Sequence, residues 1–143
     1  MAVTVNPDKY IRKAVFDLTN NIVVNTKTIK CFDSRVTGSA NLTEYILLTA
    51  QTKEVLKATK CEYDWETSML IEIYTKTSSA GNSGSRLLLN DIESAVMTLL
   101  NPKITVAGFV NVTQNITYEN QLETVTDTEN IFRSFMRLNL TLK

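Results

Sequence analysis

The sequence predicts an α+β domain: a mainly antiparallel sheet of about five strands, with two amphipathic helices on one face and the order α-β-β-β-α-β-β. Three observations carry this. Apolar residues recur at helical spacing in two segments, one near the start of the chain and one from Ser85 to Leu100. Side chains alternate with period two in "WETSMLIEIYTK" and again in "IFRSFMRLNLTLK". Two helical stripes separated by runs of strands are the pattern of helices covering one face of an antiparallel sheet.

The first helix opens at Asn6-Pro7-Asp8, an N-cap followed by proline at the first helical position and an acid facing the helix dipole. Tyr10, Ile11, Ala14, Val15 and Leu18 form its stripe, and Asn20-Asn21 should end it. From about Thr26 to Phe32 the residues are largely β-branched or aromatic, with Thr28 to Phe32 as the strand core. The polar connector "DSRVTGSANLT" leads into "EYILLTAQT", whose continuous apolar run reads as a strand buried on both faces. "KEVLKATK" fits one helical turn or a strand extension equally well. In the third strand Trp65, Thr67, Met69, Ile71, Ile73 and Thr75 point towards the core. The second helix turns Leu88, Leu89, Ile92, Ala95, Val96 and Leu99 to one side and stops at Asn101-Pro102. A fourth strand spans roughly Phe109 to Tyr118, with Val110, Val112, Ile116 and Tyr118 on one face. "ENQLETVTDTEN" reads as an acidic polar loop. In the closing strand Phe132, Met136, Leu138, Leu140 and Leu142 share the core face, while Ile131, Arg133, Phe135 and Arg137 share the other. No repeat or linker divides the 143 residues, so one domain is expected.

Composition excludes several kinds of chemistry. There is no histidine, which removes His-based triads and imidazole acid–base catalysis. Cys31 and Cys61 are too few for a disulfide scaffold, and no CxxC pair points to zinc. Fifteen basic residues balance fifteen acidic ones, so no long-range field draws in nucleic acid or an anionic membrane. "MAVTVNPDKY" has neither the basic start nor the apolar core of a signal peptide. No apolar run approaches the ~20 residues that cross a bilayer.

Candidate sites are few. "TKTSSAGNSGSRLLLNDI" places a glycine–serine loop between strand and helix, as phosphate-binding loops do. Yet Gly81 and Gly84 are three apart, Arg86 stands where a Walker loop needs lysine, and no GxGxxG spacing exists. A strand-to-helix turn with Ser83 or Ser85 as N-cap accounts for every residue. Glu62, Asp64 and Glu66, and separately Asp91 and Glu93, could be acid–base pairs but read more simply as solvated carboxylates. Arg133 and Arg137 flank Phe135 on one strand face. Interleaved arginine and aromatic side chains suit single-stranded nucleic acid or a protein partner. Zero net charge favours the protein, so Ile131, Arg133, Phe135 and Arg137 are the expected subunit interface. An edge position would suit this strand, because a neighbour could also cover its unpaired backbone. The loops Ser78–Ser85 and Glu119–Glu129 lack apolar anchors and are expected to be mobile until assembly orders them.

The order of elements resembles the tail-terminator and tail-completion proteins of tailed bacteriophages. The resemblance is carried by the N-terminal helix, the long strand "WETSMLIEIYTKT", the loop and helix "GSRLLLNDIESAVMTLL", the acidic loop and the arginine-bearing strand "IFRSFMRLNLTLK". "SRV" at Ser34–Val36 is similar to the family's early loop. It covers nearly the whole chain as a pattern of elements. It implies a structural virion protein, made in the host cytoplasm, that forms a homo-oligomeric ring at the head–tail junction and meets other neck, portal or tail proteins. No enzyme activity, cofactor, metal, membrane or sequence-specific nucleic acid is implied, although DNA would pass through the ring. The polar stretch Thr37–Leu42 departs from the pattern and leaves the particular ring open. Two other readings compete: an exported adhesin or pilus-like module, suggested by the Thr/Asn-rich strands, and a small cytosolic ligand-binding or enzymatic domain.

Overall fold

The computed structural model describes residues 6–33, 43–58, 63–78, 85–119, 121–125 and 129–143. In chain order the elements are α1 (Asp8–Thr19), β1 (Ile22–Val24), β2 (Lys27–Asp33), β3 (Glu44–Ala58), β4 (Tyr63–Ser78), α2 (Ser85–Leu100), β5 (Asn111–Tyr118), β6 (Leu122–Val125) and β7 (Glu129–Leu142). One seven-stranded sheet runs β1-β2-β3-β4-β7-β5, and β6 also pairs with β7. All pairings are antiparallel except β2 with β3, which run parallel from Lys30↔Tyr45 to Asp33↔Leu48. The α+β class and the mainly antiparallel sheet agree with the sequence. The strand count does not: seven strands replace about five.

Both extra strands are short and owe their existence to neighbours. β1 and β2 form a hairpin whose two-residue turn, Asn25-Thr26, has positive φ at both positions (50° and 68°). That is the primed turn whose twist matches antiparallel strands. β6 lies inside the segment expected to be an acidic loop. Its four residues pair from Leu122↔Arg133 to Val125↔Asn130. Gln121 Nε2 anchors its start to Asn90 Oδ1 (3.0 Å) and Glu93 Oε2 (3.1 Å) on α2. The ambiguous "KEVLKATK" continues β3 to Ala58, because β4 offers it a partner down to Ala58↔Tyr63. The glycine–serine loop falls at residues 79–84, outside the described residues, as do Ser34–Leu42, Cys61, Glu62, Asn120 and residues 126–128.

Helix α1 starts as expected, with Asn6 Oδ1 accepting the Asp8 N–H at 3.1 Å. Both helices lie on one sheet face. Ile11 and Val15 of α1 are buried over β2 and β3, and Leu89, Ile92, Val96 and Leu100 of α2 over the odd residues of β4 and the even residues of β7. From Trp65 to Thr75 every odd residue of β4 is buried, as is every even one of β7 from Phe132 to Leu142. These are the core faces assigned by period two. Helix α2 is rotated slightly from its expected stripe: Leu100 is buried, while Leu88 and Leu99 sit at the flanks. A register shift between Asn111 and Thr113 breaks the expected face of β5. Val110 and Val112 are exposed, and only Ile116 packs against the core.

Two polar side chains lock the layers together. Gln114 on β5 donates from Nε2 to the carbonyls of Leu100 and Pro102, while its Oε1 accepts from Ile104 N–H at 2.9 Å. One carboxamide thus satisfies the carbonyl end of α2 that no glycine cap serves. Arg12 on α1 spans the β3 irregularity between Leu48 and Gln51. Its guanidinium donates to Leu48 O (3.0 Å), Thr49 O (2.6 Å) and Gln51 Oε1 (2.9 Å), and pairs with Asp33. Arg12→Met keeps the aliphatic stem but strands those acceptors. Hydrogen bonds to a charged donor contribute about 1.5–3 kcal/mol each and are not additive, so a loss of about 2–4 kcal/mol is expected. Urea unfolding should show a lower midpoint at unchanged slope. A midpoint equal to the wild type's would mean that solvent replaces Arg12 without cost.

Candidate interaction face

The helices cover one side of the sheet. Across the other, as the side chains alternate, the strands present Phe32 from β2, Tyr45 and Leu47 from β3, Leu70, Glu72 and Tyr74 from β4, and Ile131, Arg133, Phe135 and Arg137 from β7. The structure therefore brings the four expected interface residues together on the face away from the core. It also adds an aromatic group that the sequence reading did not join to them.

That group is ordered. Tyr45 and Tyr74 are cross-strand neighbours, stacked with ring centroids 4.4 Å apart, and Phe32 meets Tyr45 edge-on at 5.9 Å. Arg133 lies 5.9 Å from the Tyr74 ring and 3.5 Å from Glu72 Oε1. Burial holds the Glu72 carboxyl above its ordinary pKa, against the opposing pull of Arg133. Burial raises the Tyr45 hydroxyl too, helped by Tyr74 and Glu72. A signal for this cluster did exist in the sequence: Phe32, Tyr45 and Tyr74 all lie opposite the core face of their strands. Only the strand register could show that they touch.

Around Phe135 the surface is shallower. Leu70, Leu122, Glu119 and Phe135 line a depression beside β6. Arg137 closes one side, donating to Glu119 Oε1 and Ser68 Oγ, each at 3.1 Å. Both arginines are thus committed to carboxylates of their own chain. This weakens the nucleic-acid reading, since a phosphate would have to displace an existing partner. An apolar and aromatic centre ringed by self-neutralised charges suits a protein surface.

The edge position expected for the last strand is overturned. β7 has β4 along one side and both β5 and β6 along the other, so its backbone is already paired. Whatever meets this face meets side chains.

Of the remaining candidates, Glu93 and Asp91 have structural partners, whereas Asp64 Oδ1 is buried without a hydrogen-bond partner among the described residues. Glu93 Oε2 accepts from Ser134 Oγ at 2.8 Å as well as from Gln121, and Asp91 Oδ2 accepts from Asn25 Nδ2 at 2.6 Å. These carboxylates tie α2 to β7, to the start of β6 and to the β1–β2 turn. Asp64 and Glu66 stand in β4 opposite Lys57 and Glu54. Among the described residues no group of three or more His, Cys, Asp or Glu could hold a metal, and no helix is long and apolar enough to cross a membrane. Cys31 is free and buried, and burial raises its thiol pKa to about 11, which keeps it an unreactive thiol.

No protein-family model matches the chain, and neither does any curated protein. Among solved structures the fold is similar to that of a chain in the virion of a native gene transfer agent particle. The TM-score is 0.63 at 10% sequence identity, and the match covers 96% of this chain and 99% of that one. At that identity the likeness is one of fold alone.

Proposed function

We propose that this protein is a structural subunit of a phage-like virion. It forms a homo-oligomeric ring at the head–tail junction, as a tail terminator or a tail-completion (neck) protein that joins tail to connector. The observation that carries this reading is the near end-to-end likeness to a chain of a virion particle. It agrees with the order of elements that resembles the tail-terminator family. In this reading the protein is not an enzyme and needs no cofactor. Its work is done by the sheet face away from the helices, where Ile131, Arg133, Phe135 and Arg137 meet the next subunit. Head-to-tail contacts between identical subunits close into a ring when the rotation permits. Other neck, portal or tail proteins would stack on that ring, and DNA would pass through it without being read in sequence.

Light scattering and negative-stain images of the purified protein, alone and within virions, test the proposal. Closed rings are expected, either free or when a neighbouring virion protein templates them. A protein that stays monomeric and is missing from purified particles would overturn it.

A further inference from the structure

The two edges of the sheet are finished differently. On the β1 side the edge is protected over part of its length. β1 has three residues, and among the described residues β2 pairs with β3 as far as Asp33↔Leu48. Beyond that point Arg12 occupies the carbonyls of Leu48 and Thr49, Gln51 Nε2 donates to Asp8 O at 3.1 Å, and Lys53 Nζ reaches Asn6 Oδ1 and Asp8 Oδ2, each at 2.9 Å. Short strands and placed charges are the usual protections of a sheet edge.

The β5–β6 edge has few such protections. Among the described residues each of these strands pairs with β7 alone. From Asn111 to Tyr118 there is no lysine, arginine, aspartate, glutamate or proline. Lys103 covers one backbone group at the bulge, donating to Val112 O at 2.7 Å, which leaves the run from Thr113 to Tyr118. Apolar exposure gathers at the same place. Of the nine large hydrophobic side chains exposed in the described residues, Val110, Val112, Tyr118, Leu122 and Val125 all border this edge.

We infer that the β5 edge is a second contact site, and that its occupant is the β5 edge of another copy of this chain, paired antiparallel about a two-fold axis. Two arguments select that occupant. Among the described residues the opposite edge carries Arg12, Gln51 and Lys53 along Leu48 to Lys53, so a neighbour's strand is blocked over that stretch. A two-fold axis sets a strand against its own reverse, and like charges directly opposite would destabilise the pair. An uncharged strand avoids this at every register, and a protein of zero net charge has no long-range repulsion to overcome. The inference does not depend on the ring, because the two-fold contact is made by the β5 backbone and the head-to-tail contact by the side chains around Phe135, the two meeting at Leu122.

The test compares the wild-type protein with Thr113→Lys/Tyr118→Lys, which restores the missing edge charges at two exposed positions. Sedimentation equilibrium over a concentration series should show the wild-type mass doubling while the variant stays monomeric with unchanged circular dichroism. Amide exchange in residues 113–118 of the wild type should slow as concentration rises, a readout that stands even if the variant fails to fold. A wild type that is monomeric at every concentration, with exchange independent of concentration, would overturn the inference. So would a dimer that survives both lysines. Assembly beyond the dimer that Phe135→Asp abolishes and the lysines leave intact would support the ring and overturn the edge contact.

Discussion

Met136→Asp is expected to leave almost no soluble protein. Met136 is 1% exposed and sits in β7 between Ile71 of β4 and Tyr118 of β5. Replacing it removes a buried side chain that contributes about 1.5–3 kcal/mol and puts a carboxylate in its place. The effective penalty of a buried unpaired charge is itself several kcal/mol, and a domain's total stability is about 5–15 kcal/mol. Nothing basic faces it: its neighbours on the core side of β7 are Ser134 and Leu138, and the arginines of the strand point the other way. Met136→Leu, which keeps volume and character, should cost less than about 1.5 kcal/mol. Solubility, circular dichroism and urea unfolding of the two variants measure the difference. A soluble, cooperatively folded Met136→Asp would mean that the core face of β7 has been misassigned.

Phe135→Asp, one residue away, is expected to give the opposite result: a folded protein that no longer assembles. Phe135 faces away from the helices, and its backbone bonds within the sheet, including Glu119 N–H to Phe135 O at 2.9 Å, do not depend on its side chain. The new carboxylate would stand beside Glu72 on β4, with Arg133 and Arg137 two residues to either side. The cost to the monomer should therefore be modest. To a neighbouring subunit, however, an aromatic anchor becomes a charge that must be desolvated, and truncating such an anchor commonly costs 2 kcal/mol or more per contact, as an order of magnitude. In a ring this loss repeats at every interface. Size exclusion and circular dichroism separate the outcomes. If Phe135→Asp unfolds as completely as Met136→Asp, Phe135 belongs to its own chain's packing. If it assembles normally, the contact lies elsewhere.

The contrast between these two variants rests on what the sequence made legible. Long regular elements could be read directly. β4 and β7 alternate over enough residues to assign both faces, and α2 runs from Ser85 to Leu100 as its stripe and the following Asn-Pro indicated. Segments whose structure is imposed from outside could not. Lys53, Glu54 and Lys57 favour neither state strongly, and β4 decides the matter by pairing with them. β6 has no buried residue, so no periodicity could announce it. The β5 face was misjudged because one irregularity at Asn111–Thr113 changes which side chains face inward. The candidate site was half legible. Faces follow from alternation along one strand, but the stack of Tyr45 on Tyr74 and the ion pairs of Arg133 and Arg137 depend on register between strands distant in sequence. The strand order, with β7 inside the sheet and β2 parallel to β3, is a long-range outcome that local pattern does not encode.

The interior placement of β7 bears on how the protein is made. On its β7 side β4 waits for a neighbour much later in the chain, since Ser78 pairs with Glu129 and Trp65 with Leu142. β5 and β6 have no other strand partner among the described residues. At the usual rate of about 5–20 residues per second, translation delivers β7 several seconds after β4. Until it is made, α2 lacks the part of its cover that β7 supplies and β5 has no strand to pair with among the described residues. The β1–β2–β3–β4 part of the sheet can therefore pair as it is made, whereas the β5–β6 part waits for β7. This second part closes in a late step, so subunits competent for assembly arise only once β7 has been made.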